Sequence, residues 1–380
     1  MNLAHFDHAL FLRDYWQKQP LLIRQPWDQW HNPLEPDELA GLACEDSVES
    51  RLVVCQGDKP SLESGPLPEE RFGEIASETY TLLVQAVDHH VPEVAALIEP
   101  FRFVPDWRID DVMVSYAVTG GGVGPHFDQY DVFLIQGLGR RRWRVGPVCD
   151  AATPLQPHDD LRLLAGFETV GEWDLEPGDI LYVPPGVAHD GVALSDDCMT
   201  YSVGFRAPSL AELVEGWAAH QADGLTDEQR YTDPGLTAPV HSGEIPAPAL
   251  DRLHAMVLEA LGDREQFARW FAAHASVPKY PEVDWRPDEP IDADQLCAML
   301  ASGAALVCNP ASRFAFVRLS DDAVLLCVDG QGCDCTDQTA ALAVELCDRR
   351  AVKPAAQPGA EAAALLTMLV NSGALAFDQC

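Results

Sequence analysis

The 380-residue chain carries 25 lysines and arginines against 60 aspartates and glutamates, a formal net charge of −35. A surface this acidic excludes broad contact with nucleic acid or anionic membrane and favours basic partners, although a salt-adapted proteome would give the same balance. The length accommodates two or three domains, no stretch approaches the apolar run of a membrane span, and the scattered cysteines read as reduced thiols in a cytoplasmic protein.

The opening MNLAHFDHALFLRDYW is punctuated by charge and lacks the apolar core of a secretory leader. The first ninety or so residues mix short helices and strands, and His89 and His90 in VDHHVPEV are expected to be solvated at a helix end. DDVMVSYAV reads as a strand with Asp111, Met113 and Ser115 on one face and Val112, Val114 and Tyr116 on the other. A polar cavity would take the first face. The opposite phase, with the valines in a core, fits the pattern as well.

TGGGVGPHFDQYD follows: glycines and a Gly-Pro make a tight approach loop, and His126, Asp128 and Tyr130, read as a strand, share one face. In QGLGRRRWRVGP the same alternation sets Arg141, Trp143 and Val145 against Arg140, Arg142 and Arg144. The face with two apolar residues points inward, and a buried guanidinium needs an anion beside it, ideally a carboxylate held bidentately. An exposed edge strand carrying all four arginines is the competing reading. LEPGDILYVPPGVAHDG then gives a turn, a short apolar strand, a rigid Pro-Pro-Gly turn and His189. An isolated H-x-D triplet is usually accidental, but two such deliveries in one chain are not. Two imidazoles and a carboxylate on one face leave open coordination positions and suit non-heme Fe(II), although manganese and zinc accept the same donors.

Beyond this region Ser209 and Glu212 form a capping box opening the helix SLAELVEGWAAHQA. A proline-rich link leads to the amphipathic stretches ALDRLHAMVLEAL and REQFARWFAAHA. After a second link, VPKYPEVDWRPDEP, come the helix DADQLCAML, strands at ALVCN, FAFVRL and AVLLCVDG, and closing helices at ALAVELCDRR and AEAAALLTMLVN. Helices with a β-wing read as a winged helix, but so few basic residues point to protein contact or dimer support rather than DNA. Cys327, Cys333 and Cys335 lack paired C-x-x-C knuckles and a clear fourth ligand, so they read as ordinary thiols in a hairpin.

The motifs GGGVGPHFDQYDVFLIQGLGRRRWRVG, LEPGDILYVPPGVAHDG and YSVGFRAPS, with YWQKQPLLIRQ before and LVNSGALAF after them, carry a resemblance. The chain resembles the JmjC-type (cupin) 2-oxoglutarate oxygenases, most closely the bacterial ribosomal oxygenases of the YcfD/RoxA kind. The resemblance implies an α+β fold whose core is a double-stranded β-helix (cupin or jelly roll). It also implies four parts: an N-terminal α/β extension over 1–90, the catalytic domain over 91–207, a helical dimerisation region over 208–280 and a winged-helix-like domain over 281–380. By the same resemblance His126, Asp128 and His189 are iron ligands, Arg141 pairs with the far carboxylate of 2-oxoglutarate with help from Ser115, and Asp111, Met113 and Tyr130 hold the substrate arginine.

The implied reaction consumes 2-oxoglutarate and O2, releases succinate and CO2, and hydroxylates the β-carbon of an arginine in large-subunit ribosomal protein sixteen, a basic partner of a cytoplasmic homodimer. The chain departs from the pattern at Ala117, where a relative can carry serine, and at Asp190, where glutamate also occurs. Other readings on the same core are a ribosomal histidine hydroxylase, a lysine demethylase, a small-molecule hydroxylase and a non-enzymatic metal-binding cupin. The single Asp111 without a methyl-lysine cage leans against the demethylase. An inward Arg141 leans against the non-enzymatic cupin, since a structural metal needs no carboxylate clamp.

Overall fold

In the computed structural model, residues 2–4, 6–56, 59–158 and 161–378 are described. The chain divides into two compact units. The first runs to Ala207 and takes in two later segments, Lys279–Trp285 and Asn309–Ala311; the second comprises Pro208–Pro278, Arg286–Cys308 and the chain from Ser312.

Eleven strands build the first unit among the described residues: β1 Leu21–Ile23, β2 Ser50–Gln56, β3 Lys59–Ser64, β4 Thr79–Val84, β5 Ile109–Ala117, β6 Asp131–Leu138, β7 Arg141–Val148, β8 Gly171–Leu175, β9 Ile180–Val183, β10 Val187–Ala193 and β11 Cys198–Phe205. They form an eight-stranded sheet in the order β1-β9-β6-β11-β5-β4-β2-β3 and a three-stranded sheet in the order β10-β7-β8. The large sheet is apolar on both faces because both are covered. Val132 and Leu134 of β6 and Leu181 and Val183 of β9 meet Trp143, Val145, Leu175 and Val187 of the small sheet. Their alternate neighbours Phe133, Ile135, Ile180 and Tyr182 pack into the main core with Phe11, Phe101 and Phe205. Two facing antiparallel sheets with the small one closing over the large one make the double-stranded β-helix.

The N-terminal residues do not merely precede this core. β1 pairs with β9, and β4 and β2 extend the large sheet beyond β5. The expectation for His89 and His90 is corrected. His89 is buried, lying 4.0 Å from Asp88 and 6.1 Å ring to ring from Tyr280. His90 is half-buried against Trp285, and burial lowers its pKa. The segment Lys279–Trp285, remote in sequence, covers both.

In the second unit Ser209 Oγ accepts from Glu212 N–H and the Glu212 side chain accepts from Ser209 N–H, so the capping box holds the helix Leu210–Asp223. Helices Ala247–Leu261, Arg264–Ala275, Ala293–Ala301, Asp337–Asp348 and Ala360–Asn371 follow. With them run β12 Leu306–Cys308, β13 Phe314–Arg318, β14 Ala323–Val328, β15 Gln331–Thr336, β16 Ala351–Val352 and β17 Leu375–Phe377. Asp329 and Gly330, at φ 50 and 82, turn β14 tightly into β15, as an Asp-Gly pair favours. Cys327, Cys333 and Cys335 are free thiols on this hairpin. No helix among the described residues is long and apolar enough to cross a membrane.

Candidate metal centre

His126 and Asp128 do not lie on a regular strand, contrary to the alternation expected from the sequence; β6 begins only at Asp131. The glycine-rich approach and Pro125 break the ladder, and two backbone bonds replace it. His126 N–H donates to the His189 carbonyl at 3.0 Å and His189 N–H to the His126 carbonyl at 2.8 Å. Asp128 is fixed through its own carbonyl, which accepts from Gly186 N–H at 2.7 Å. Gly186 sits at φ 77 in the turn Pro184-Pro185-Gly186-Val187, where proline presets one turn residue and only glycine enters the left-handed region cheaply. A register irregularity between Val187 and His189 then aims the second imidazole inward.

The side chains converge. Asp128 Oδ2 lies 4.0 Å from His126 Nε2 and 3.6 Å from His189 Nε2, and one donor atom from each of the three residues lies within 4.8 Å of the others. Each imidazole turns Nδ1 to a backbone carbonyl, of Gly124 at 2.8 Å and Val187 at 3.0 Å, which leaves both Nε2 lone pairs facing the shared point. Burial, with His126 alongside, pushes His189 down to about 4, so it is a neutral donor near neutral pH. Two neutral imidazoles and one carboxylate can hold a divalent metal ion.

Arg141 opens β7 beside this group. The inward phase holds: Arg141, Trp143 and Val145 are buried, while Arg142 pairs with Asp174 and Arg144 with Asp190. Asp190 is thereby accounted for, and Ala117 packs in a small cluster with Ala193 and Cys198. Arg141 is 4 % exposed, its Nη1 reaches Ser115 Oγ at 3.4 Å, and its Nε and Nη2 have no hydrogen-bond partner among the described residues. Trp143 links the two features, with its ring 5.6 Å from the Arg141 guanidinium carbon and 5.9 Å from the His189 ring. Its place depends on Gly191, the cross-strand neighbour, where a Cβ would come within 2.7 Å of the indole. A buried, half-partnered guanidinium is costly unless an anion completes it.

β5 settles its phase in a way that satisfies both alternatives: Val112 and Val114 enter the main core, and Asp111 and Ser115 are buried on the other face. Met113 is half-buried opposite Ser202. Tyr130 precedes β6 and is 44 % exposed; burial and the Asp128 and Asp111 carboxylates raise its pKa far above the ordinary phenol range. Two further participants, Lys279 and Asp110, carry no local signal in the sequence. Lys279 Nζ lies 2.9 Å from Asp110 Oδ2 and 3.0 Å from Asp111 Oδ2, across 169 residues of chain. No local pattern in VPKYPEV could have revealed that contact.

Residues 96–213 match the JmjC domain family and residues 258–376 the ROXA-like winged helix family, and an AraC-like ligand binding domain matches 169–273. Over 313 residues the chain is 43 % identical to the ribosomal protein uL16 3-hydroxylase of Escherichia coli K12, covering 82 % of each. The chain belongs to the ribosomal oxygenase family of JmjC-domain proteins. A probable ribosomal oxygenase of Haemophilus influenzae is 36 % identical over 316 residues, covering 80 % of this chain and 76 % of that protein. The E. coli ribosomal oxygenase solved with cobalt and 2-oxoglutarate superposes on this family member over 100 % of both chains, with a TM-score of 0.88 at 37 % identity.

Proposed function

We propose that the chain is an Fe(II)- and 2-oxoglutarate-dependent protein hydroxylase that adds one oxygen of O2 to the β-carbon of an arginine in ribosomal protein uL16, the protein named in its E. coli relative. The observation that carries this reading is Arg141, a buried guanidinium left with unpartnered Nε and Nη2 beside a His-Asp-His donor set. His126, Asp128 and His189 would hold the iron. When bound, Fe(II) supplies the dioxygen chemistry by which decarboxylation of 2-oxoglutarate to succinate and CO2 drives oxygen insertion into a carbon–hydrogen bond.

The residues of the chain do the rest. Arg141 takes the far carboxylate of 2-oxoglutarate in a charge-assisted bidentate pair, and Ser115 keeps the guanidinium oriented. Trp143 walls the space between that anchor and His189. The two Nδ1 contacts keep both imidazoles in the tautomer a ligand needs. Asp111, Met113 and Tyr130 receive the target side chain, the carboxylate neutralising its cation and the phenol closing one side. Holding the reactants in one dry hollow supplies orientation and suppresses uncoupled turnover.

The division into an extension over 1–90, a catalytic core over 91–207, a pairing region over 208–280 and a winged-helix-like part over 281–380 belongs to the same proposal. Supporting a homodimer, helix Ala247–Leu261 has no buried residue of its own and exposes Leu250, Leu253, Val257 and Leu258 along one face. The net charge of −35 suits a basic ribosomal protein in the cytoplasm rather than direct contact with nucleic acid or membrane. The test supplies purified protein with Fe(II), 2-oxoglutarate, oxygen and a uL16 arginine peptide. The expected result is succinate and a peptide heavier by one oxygen on arginine, both lost in His126→Ala. Iron-loaded protein that releases no succinate with that peptide overturns the proposal.

A further inference from the structure

Asp111 meets an unusual partner. It is 5 % exposed, its Oδ2 accepts from Ala86 N–H at 2.8 Å, and the same oxygen lies 3.0 Å from Lys279 Nζ. Lys279 bridges from there to Asp110 Oδ2 at 2.9 Å, and Asp110 is the more open of the two, with 29 % of its side chain exposed against 7 % for Asp111. The lysine is held at its base. Tyr280 donates its hydroxyl to Glu49 at 2.8 Å, and the Trp285 ring lies 5.9 Å from His90. Its backbone is therefore anchored, while four rotatable bonds lead to the ammonium. Burial works against that ammonium, but Asp111 and Asp110 together hold its pKa above the ordinary lysine value, so it is charged.

We propose that Lys279 is an internal stand-in cation, seated on the carboxylate that receives the substrate's cationic side chain and displaced onto Asp110 when that side chain enters. This rests on the reading that Asp111 receives the target residue. Three consequences follow from the chemistry. A guanidinium can take both Asp111 oxygens as a planar fork, which an ammonium cannot, so arginine gains on exchange. A substrate lysine merely replaces one ammonium by another and gains nothing. An uncharged side chain leaves Lys279 in place. The lysine thus weakens the binding of every entering cation by a common factor, and the preference for arginine comes from its planar fork on Asp111.

Calorimetry on Mn(II)-loaded protein without oxygen tests this, with capped tripeptides carrying arginine, lysine or citrulline at the centre. In Lys279→Met the arginine peptide should bind about tenfold more tightly, the lysine peptide should gain at least as much, and the citrulline peptide should not change. Lys279→Arg, whose guanidinium can fork Asp111 itself, should bind the arginine and lysine peptides more weakly than the wild type and leave the citrulline peptide unchanged. Arginine binding that is equal or weaker in Lys279→Met overturns the proposal and makes Lys279 a residue that merely positions Asp111. Should Lys279→Met fail to fold, Lys279→Gln carries the same expectations. Asp111→Asn addresses the underlying reading separately. If it leaves arginine-peptide binding at the wild-type level, Asp111 is not the receiving group, whatever Lys279 does.

Discussion

Replacing Arg141 with methionine should move ligand affinity and folding stability in opposite directions. Arg141 is 4 % exposed, has two guanidinium nitrogens without partners among the described residues and reaches Ser115 at a long 3.4 Å. In the ligand-free protein that desolvated charge is offset chiefly by the face of Trp143 at 5.6 Å. An apolar side chain of similar length removes the burden, and exchanges of this kind are neutral or stabilising by about 1–4 kcal/mol. For 2-oxoglutarate the same change deletes a buried bidentate partner, a loss of about 3–4 kcal/mol. That corresponds to roughly 10²- to 10³-fold weaker binding. Calorimetry of 2-oxoglutarate against Mn(II)-loaded protein without oxygen measures the first effect, and melting curves with and without 2-oxoglutarate measure the second. The wild type should melt higher with the ligand by mass action, and the variant should not. Unchanged 2-oxoglutarate affinity refutes the assignment. So does a ligand-free variant that melts lower with metal binding intact, because Arg141 would then be serving the fold.

Gly191→Ala would bring a methyl within 2.7 Å of Trp143, so the variant should lose about 1–3 kcal/mol of stability and weaken 2-oxoglutarate binding as the indole shifts; wild-type values for both would show that the ring has room. Gly186→Ala forces a side chain to φ 77 and should cost about 1–2 kcal/mol while lowering metal content by re-aiming His189, an outcome that elemental analysis can contradict. In metal-free protein the unfolded His189 protonates near 6.5 but the folded one only near 4, so the unfolded chain binds the extra proton first as pH falls. Stability should be fully present above 6.5 and decline down to about 4, less steeply in His189→Gln; parallel urea midpoints across that window would dismiss the effect.

The legible parts of the sequence were those in which a short segment fixes its own geometry. Pro-Gly-Asp, the apolar run Ile180–Val183 and Pro-Pro-Gly specify a turn, a strand and a turn without help from elsewhere, and His189 follows at its observed place. The alternation around Trp143 fixed which arginine turns inward, because an indole and a valine cannot both face water cheaply. The approach to His126 misled because a two-residue alternation looks the same in a strand and in a loop pinned by a bridge. The ring of His89 was misjudged because what buries it, Tyr280, comes from a segment remote in the chain. Lys279 was invisible for the same reason. Contacts across such separations depend on topology, and local pattern carries no topology.

The charges of the hollow impose an order on its ligands. Counting the imidazoles as neutral metal ligands, Asp110, Asp111 and Asp128 stand against Arg141 and Lys279, so these groups sum to one negative charge before any ligand arrives. A divalent ion reverses that to one positive charge, the dianion of 2-oxoglutarate returns it to one negative charge, and a cationic side chain then brings it to neutrality. Each arrival leaves the sign that the next ligand requires, in a partly buried setting where unit charges interact far more strongly than in water. Metal should therefore precede 2-oxoglutarate, and 2-oxoglutarate should precede peptide. Titrating 2-oxoglutarate into metal-stripped protein, and arginine peptide into protein loaded with metal alone, should each give much weaker binding than the ordered sequence. If either binds with full affinity out of turn, the local charge balance does not govern assembly, and the unpartnered nitrogens of Arg141 would have to be explained by shape alone.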